Sequence, residues 1–156
     1  MAQSKKLIVI CGPTATGKTK LGVALAKALG GEVVSADSMQ VYRGMPIGTA
    51  QPTAEERDGV PHHMMAMADP SENYSVARYV EDASECVDDI LARGKQPILV
   101  GGTGLYIDAL CKGQTFSDFQ PDSGLRAKLQ AQAAQGGLPR LWADLERIDP
   151  EAAARL

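Results

Sequence analysis

Cysteine is scarce in this chain of 156 residues: there are three, Cys11, Cys86 and Cys111, with no Cys-x-x-Cys spacing. An odd, unpaired set argues against a disulfide framework and against a structural zinc site, and leaves three buried or half-buried thiols as the expectation. Long apolar runs are also missing. Nothing approaches the ~18 consecutive apolar residues of a membrane span, and the polar start leads into a short strand rather than a signal peptide, so a cytoplasmic protein is expected. Charge of one sign is not in great excess: the formal net charge is -3, which gives no support to a surface devoted wholly to nucleic acid. Arg126, Lys128, Arg140 and Arg147 gather in the last third, but with acids interleaved they read as a solvated helical face. No internal repeat or low-complexity tract is found. What remains, 44% hydrophobic and 22% charged residues, is the balance of an ordinary globular domain.

The order of elements is legible from periodicity and breakers. Residues 7–10 are an unbroken apolar run, as in a strand covered on both faces, ended by Gly12 and Pro13. Residues 18–29 place Leu21, Leu25 and Leu29 four apart on one helical stripe, stopped by Gly30 and Gly31. A second strand follows at 32–35. Strand, glycine-rich turn, helix and strand make a βαβ unit with parallel strands. From Met39 to Gly59 no period is sustained, which predicts an ordered loop. Ser75 is placed to cap a helix running to Arg93, with Gly94 as its end. Residues 97–100 are a further buried strand, and Gly101-Gly102-Thr103-Gly104 turns into a helix over 105–110. The text becomes polar between Lys112 and Gly124, where a boundary is expected, dividing the chain into an α/β core, 1–113, and the start of a helical subdomain, 114–156. There, helices are predicted over 125–134 and 138–146, with Asp149 and Pro150 opening a third. The fold class expected is a P-loop NTPase-like parallel sheet flanked by helices, with the beginning of a helical inserted subdomain.

One motif carries chemistry by itself. Gly12-Pro13-Thr14-Ala15-Thr16-Gly17-Lys18-Thr19 fits G-x-x-x-x-G-K-[ST] and lies between an apolar strand and an amphipathic helix, the context required of a P-loop. Backbone amides at a helix N-terminus would wrap an anion, Lys18 offers a positive point charge, and Thr19 can ligate Mg²⁺. A diphosphate or triphosphate ligand follows. The metal-holding acid that nucleotide hydrolases place after an apolar strand is lacking, because residues 98–100 run into Gly101-Gly102-Thr103. The well-placed carboxylate is instead Asp37, at the C-terminal end of the second strand, where ligands of open α/β sheets sit. General-base or substrate-orienting work is one reading; capping of the turn 38–40 is the other.

Five segments in order, the P-loop at 12–19 together with 35–45 (SADSMQVYRGM), 47–50 (IGTA), 60–63 (VPHH) and 101–106 (GGTGLY), resemble the tRNA dimethylallyltransferase family, densely to about Tyr106 and more thinly after Gly113. The resemblance implies that the P-loop grips dimethylallyl diphosphate rather than splitting ATP, with Mg²⁺ as cofactor. It makes Asp37 the base that takes a proton from the exocyclic N6 of an adenosine beside the anticodon, and puts Ser38, Met39 and Gln40 against that adenine. It further puts Thr103 in a catalytic turn touching phosphate and nucleotide, and Arg126 near a tRNA-contacting position. The implied partners are dimethylallyl diphosphate and a tRNA anticodon stem-loop, for a monomer without a membrane. Family members are roughly twice this long, so the chain is expected to be an N-terminal part. Pro46 and Gln51 stand where members often carry Asp and Lys, and Met64-Met65-Ala66 replaces a usual Leu-Ile-Asp. His62 and His63, adjacent on an extended segment, point to opposite faces and are expected to make structural hydrogen bonds rather than bind a metal. Other readings of the residues stay open: a small-molecule or nucleoside kinase, an adenine-nucleotide prenyltransferase, or a diphosphate-binding fragment without activity.

Overall fold

The structure, a computed structural model, describes residues 6–114 and 122–156. Within the first of two compact units, Met1–Thr115, four parallel strands stand in the order β1-β4-β2-β3, with β1 Ile8–Cys11, β2 Gly31–Ala36, β3 His62–His63 and β4 Gln96–Gly101. The β1 and β2 strands of the βαβ unit are parallel but not adjacent, because β4 inserts between them. Parallel strands need crossovers, and those here are helical: α1 Lys18–Leu29 follows β1, and α3 Val76–Ala92 precedes β4. The result is an α/β unit with a parallel sheet, as the sequence predicts.

Local chemistry ends these elements where expected. Gly30 closes α1 in the left-handed conformation, φ 61°, its N–H donating to the carbonyl of Ala26. Ser75 caps α3, its hydroxyl accepting from the Arg78 N–H. Three features differ from the sequence reading. The stripe Leu21, Leu25 and Leu29 is not the buried face of α1, since Leu21 and Leu29 are 51% and 46% exposed and the helix buries Gly22, Val23 and Ala26 instead. The loop between Met39 and Gly59 contains a one-turn helix, α2 Ala54–Arg57, held by a capping box in which Thr53 and Glu56 satisfy each other's backbone N–H. And β1 is not covered on both faces: it is an edge strand alternating between half-buried and exposed positions, with Val9 37% exposed.

The core splits on the two faces of the sheet. One cluster joins Val34, Ala36 and Leu99 to Tyr79, Ala83 and Ile90 of α3 and to Tyr106 of α4 Gly104–Cys111. The rings of Tyr79 and Tyr106 stack at 4.0 Å, 12° from parallel. The other cluster joins Val33, Ile98 and Val100 to Val23 and Ala26 of α1. The thiols depart from expectation: only Cys86 is half-buried, with burial pushing it up to about 11, whereas Cys11 and Cys111 are exposed. Cys11 ends the edge strand and Cys111 ends α4.

The second unit, Phe116–Leu156, is helical where described: α5 Ser123–Gln132, α6 Leu138–Ile148 and α7 Pro150–Ala153. Asp122 and Asp149 cap α5 and α7 through side-chain oxygens. Gly136, at φ 82°, makes the kink between α5 and α6. Arg126, Lys128, Arg140 and Arg147 are all exposed. Part of the polar boundary stretch, 115–121, lies outside the described residues. Among the described residues no helix is long and apolar enough to cross a membrane.

Candidate active site

The P-loop forms where β1 gives way to α1. Gly17 sits in the left-handed region, φ 81°, at the N-cap of α1, a conformation that glycine adopts without a Cβ penalty. Lys18 folds back over the loop, its Nζ donating to the Pro13 carbonyl at 2.5 Å, and the Thr16 hydroxyl donates to the same oxygen at 2.9 Å. The ammonium is thereby tied to the loop's own backbone.

The C-terminal ends of β2 and β4 bring two more turns to the same end of the sheet. Their approach is close: a Cβ on Gly101 would lie 2.1 Å from the Ala36 carbonyl oxygen, so only glycine fits at that rung. Thr103, at the N-cap of α4, makes no side-chain bond to its own helix. Its hydroxyl instead accepts from the Ser38 N–H at 3.0 Å, and its own N–H donates to the Ala36 carbonyl at 3.1 Å. Thr103 thus ties the β4 turn to the turn that follows β2. Tyr79 holds the end of β2 just ahead of that turn, its buried hydroxyl donating to the Ser35 carbonyl at 3.0 Å.

Asp37 lies on this braced turn. Its Oδ1 accepts from the N–H groups of Met39, 2.9 Å, and Gln40, 3.2 Å, the cap-like arrangement of the alternative reading. Oδ2 takes no hydrogen bond among the described residues, so one oxygen fixes the carboxylate and the other is unengaged. A cavity of about 490 Å³ is lined by Thr14, Ala15, Thr16, Gly17, Lys18 and Thr19 of the P-loop, by Asp37, Met39 and Gln40, and by Gly48, Thr49, Ala50, Gly101 and Gly102. Gly12, Pro13, Ser38 and Thr103 are not among the residues that line it, and Arg126 is on α5 of the second unit.

The wall formed by Gly48, Thr49 and Ala50 was not singled out from the sequence as part of a site, although 47–50 was one of the segments carrying the resemblance. Two other cavities are somewhat larger, about 550 Å³ beside Pro46, Pro52 and Pro61 and about 590 Å³ along α1 beside Glu55 and Asp58. Neither unites phosphate-binding amides with the carboxylate of Asp37, and chemistry rather than size distinguishes the cleft.

Both histidines make hydrogen bonds within the fold. His62 Nδ1 donates to the Val60 carbonyl at 2.9 Å, and burial holds the ring below its ordinary value and hence neutral at pH 7. His63 Nε2 donates to Glu32 at 2.7 Å. No cluster of three or more His, Cys, Asp or Glu suited to a metal occurs among the described residues.

A sequence profile of the IPP transferase family matches residues 40–156. The tRNA dimethylallyltransferase of Geobacillus thermodenitrificans is 50% identical over 98% of this chain and 49% of its own length, and that of an Anaeromyxobacter species is 52% identical over 97% and 50%. Among solved structures, the tRNA isopentenylpyrophosphate transferase of Bacillus halodurans is 51% identical, with a TM-score of 0.71 over 97% of this chain and 50% of that one. A eukaryotic dimethylallyltransferase acting on tRNA is 35% identical, with a TM-score of 0.82 over 98% of this chain and 38% of that one. The chain spans about half the length of the curated relatives it matches. It belongs to the IPP transferase family.

Proposed function

We propose that this chain supplies the diphosphate-binding and proton-accepting half of a tRNA dimethylallyltransferase, which moves a dimethylallyl group from its diphosphate to N6 of an adenosine beside the anticodon. The observation that carries this reading is the shared cleft: Asp37, with Oδ2 unengaged, and the P-loop line one cavity. Nucleotide hydrolases with a P-loop commonly place a metal-holding acid after an apolar strand, whereas β4 ends at Gly101 and runs into Gly102 and Thr103, which favours prenyl transfer over hydrolysis.

In the proposed reaction a bond forms between N6 and C1 of the prenyl group as the bond from C1 to the diphosphate oxygen breaks. The electron pair leaves with the diphosphate, and the N6 proton passes to Asp37 Oδ2. The N6 lone pair is delocalised into the adenine ring, so a base that receives the proton as the bond forms lowers the barrier. Lys18 and the amides of 14–19 offset the charge gathering on the diphosphate. The donor set fits Mg²⁺ of the kind that arrives with phosphate oxygens and water, since Thr19 lines the cleft with a hydroxyl and no protein cage is needed. When bound, that ion would add charge stabilisation of the leaving diphosphate. Met39, 53% exposed at the lip of the cleft, and Gln40 offer surfaces for the adenine. Ser38 and Thr103 hold the turn, and Arg126 is assigned to the tRNA side.

Incubating the protein with tRNA, dimethylallyl diphosphate and Mg²⁺, then digesting the tRNA to nucleosides, should yield N6-prenyladenosine and free pyrophosphate. Transfer of the γ-phosphoryl of ATP in place of prenylation would establish the kinase reading instead.

A further inference from the structure

The wall of the cleft opposite the P-loop is a small rolled segment. Within it the Thr49 N–H and hydroxyl both reach the Met45 carbonyl, at 3.1 and 2.8 Å, Ala50 N–H reaches Ile47 at 3.2 Å, and Gln51 N–H reaches Pro46 at 3.0 Å. Ala50 takes φ 50°, unusual for a residue with a side chain. These bonds shape the roll but do not attach it to the turn bearing Asp37.

Attachment comes from two side-chain amides that cross. Gln51 Nε2 donates to the carbonyls of Gln40, 2.8 Å, and Tyr42, 3.0 Å. Gln40 reaches the other way, Nε2 donating to the Ala50 carbonyl at 3.1 Å, while its Oε1 accepts from the Ser35 hydroxyl at 3.1 Å. The amide orientations are determined by their neighbours: two carbonyls can face only the nitrogen of Gln51, and a carbonyl on one side with a hydroxyl on the other sets that of Gln40. The Gln40 carbonyl is filled from its other side by the Ala66 N–H at 3.0 Å, so it is seated whether or not Gln51 is present.

We propose that Gln51 is a positioning residue: its amide clasps the wall Gly48, Thr49 and Ala50 to the Asp37 turn and so keeps the cleft at its working width before ligand arrives. Gln51 does not line the cleft itself; it acts through the backbone that does. The required chemistry is a donor facing two carbonyls, so lysine at this position serves and glutamate does not. The inference rests on the prenyl-transfer reading only for its catalytic consequence, since the clasp has a signature of its own.

The test compares Gln51→Ala, Gln51→Glu and Gln51→Lys with the parent by amide hydrogen exchange, calorimetric titration with inorganic pyrophosphate, and prenyl transfer to tRNA. In Gln51→Ala and Gln51→Glu the amides of Thr49, Ala50 and Gln51 should exchange about tenfold faster while those of β2 and β4 keep their protection. Pyrophosphate affinity should be unchanged, because the P-loop is outside the clasp. With substrates, kcat should fall about tenfold at constant KM for dimethylallyl diphosphate, the mark of misplacement rather than lost binding. Gln51→Lys should restore both exchange and kcat. Parent-like protection in Gln51→Ala, or a Gln51→Lys protein that behaves like Gln51→Ala, overturns the proposal. Should the parent itself transfer no prenyl group while the exchange pattern is as described, it is the functional reading that fails and the clasp that stands.

Discussion

In the proposed reaction Asp37 uses its two oxygens differently, one to hold its turn and one to take the proton, and a substitution can separate the two. Asparagine keeps an oxygen able to accept from Met39 and Gln40, so the turn survives, but its amide cannot take a proton. Asp37→Asn should leave the thermal midpoint and pyrophosphate binding as in the parent while single-turnover prenyl transfer drops ~10²–10⁴-fold, the usual worth of a general base. Turnover equal to the parent would remove Asp37 from the role of base. Residue type and place in the βα register made Asp37 a candidate from the sequence. That one of its oxygens is committed to the turn depends on the backbone after β2, which periodicity does not describe. Thr103 teaches the same lesson: as an N-cap threonine it would be expected to bond its own helix, yet its hydroxyl serves Ser38, 65 positions away.

Elements are held by contacts that permit little freedom, and the rung between Ala36 and Gly101 is the tightest near the site. A methyl group at Gly101 would have to displace backbone rather than a flexible side chain, so Gly101→Ala should cost about 3 kcal/mol or more, read as a lower urea midpoint at unchanged slope. A midpoint equal to the parent's would show that β2 and β4 can part at that rung. Helix boundaries were legible because their causes are local: Gly30 needs only its own conformation, and Ser75 reaches three residues along. α2 had a local signal too, the Thr53 to Glu56 capping box, hidden by the prolines and glycines around it. The two-residue strand β3 had none, since it exists only because β2 offers it an open edge, with the Val33 N–H donating to the Pro61 carbonyl at 2.9 Å.

For the α/β unit as a whole, stability has a charged keystone far from the cleft. Glu32, near the start of β2 and with its side chain 3% exposed, accepts from Arg93 through both oxygens, from Lys95 and from His63. Hydrogen bonding to Arg93 is the largest influence, opposed by burial and reinforced by Lys95 and His63, and the carboxyl is held well below the ordinary glutamate value of 4.5. A carboxyl lowered in the folded state stabilises fully above its unfolded value, and that contribution drains away as the pH falls below about 4.5 toward the folded value. Acid titration of unfolding free energy should therefore decline steeply below pH 4.5, and Glu32→Gln should flatten that decline. At pH 7 Glu32→Gln should cost about 2 kcal/mol, toward the low side for a broken buried pair because Arg93 and Lys95 remain 39% and 45% open to water. An unchanged acid profile in the variant would assign the pH dependence to other groups.

The succession β1, α1, β2, α3, β4 and α4, the P-loop motif and the candidacy of Asp37 were determined by the sequence alone, because each rests on a short pattern whose physics acts within a turn or two of the chain. Only the tertiary structure decided that β4 enters between β1 and β2, that a carboxylate oxygen is left unengaged in the cleft, and that two glutamine amides cross to hold its far wall. Those outcomes join residues separated by long stretches of chain, and it is packing, not local preference, that chooses which distant backbone groups meet.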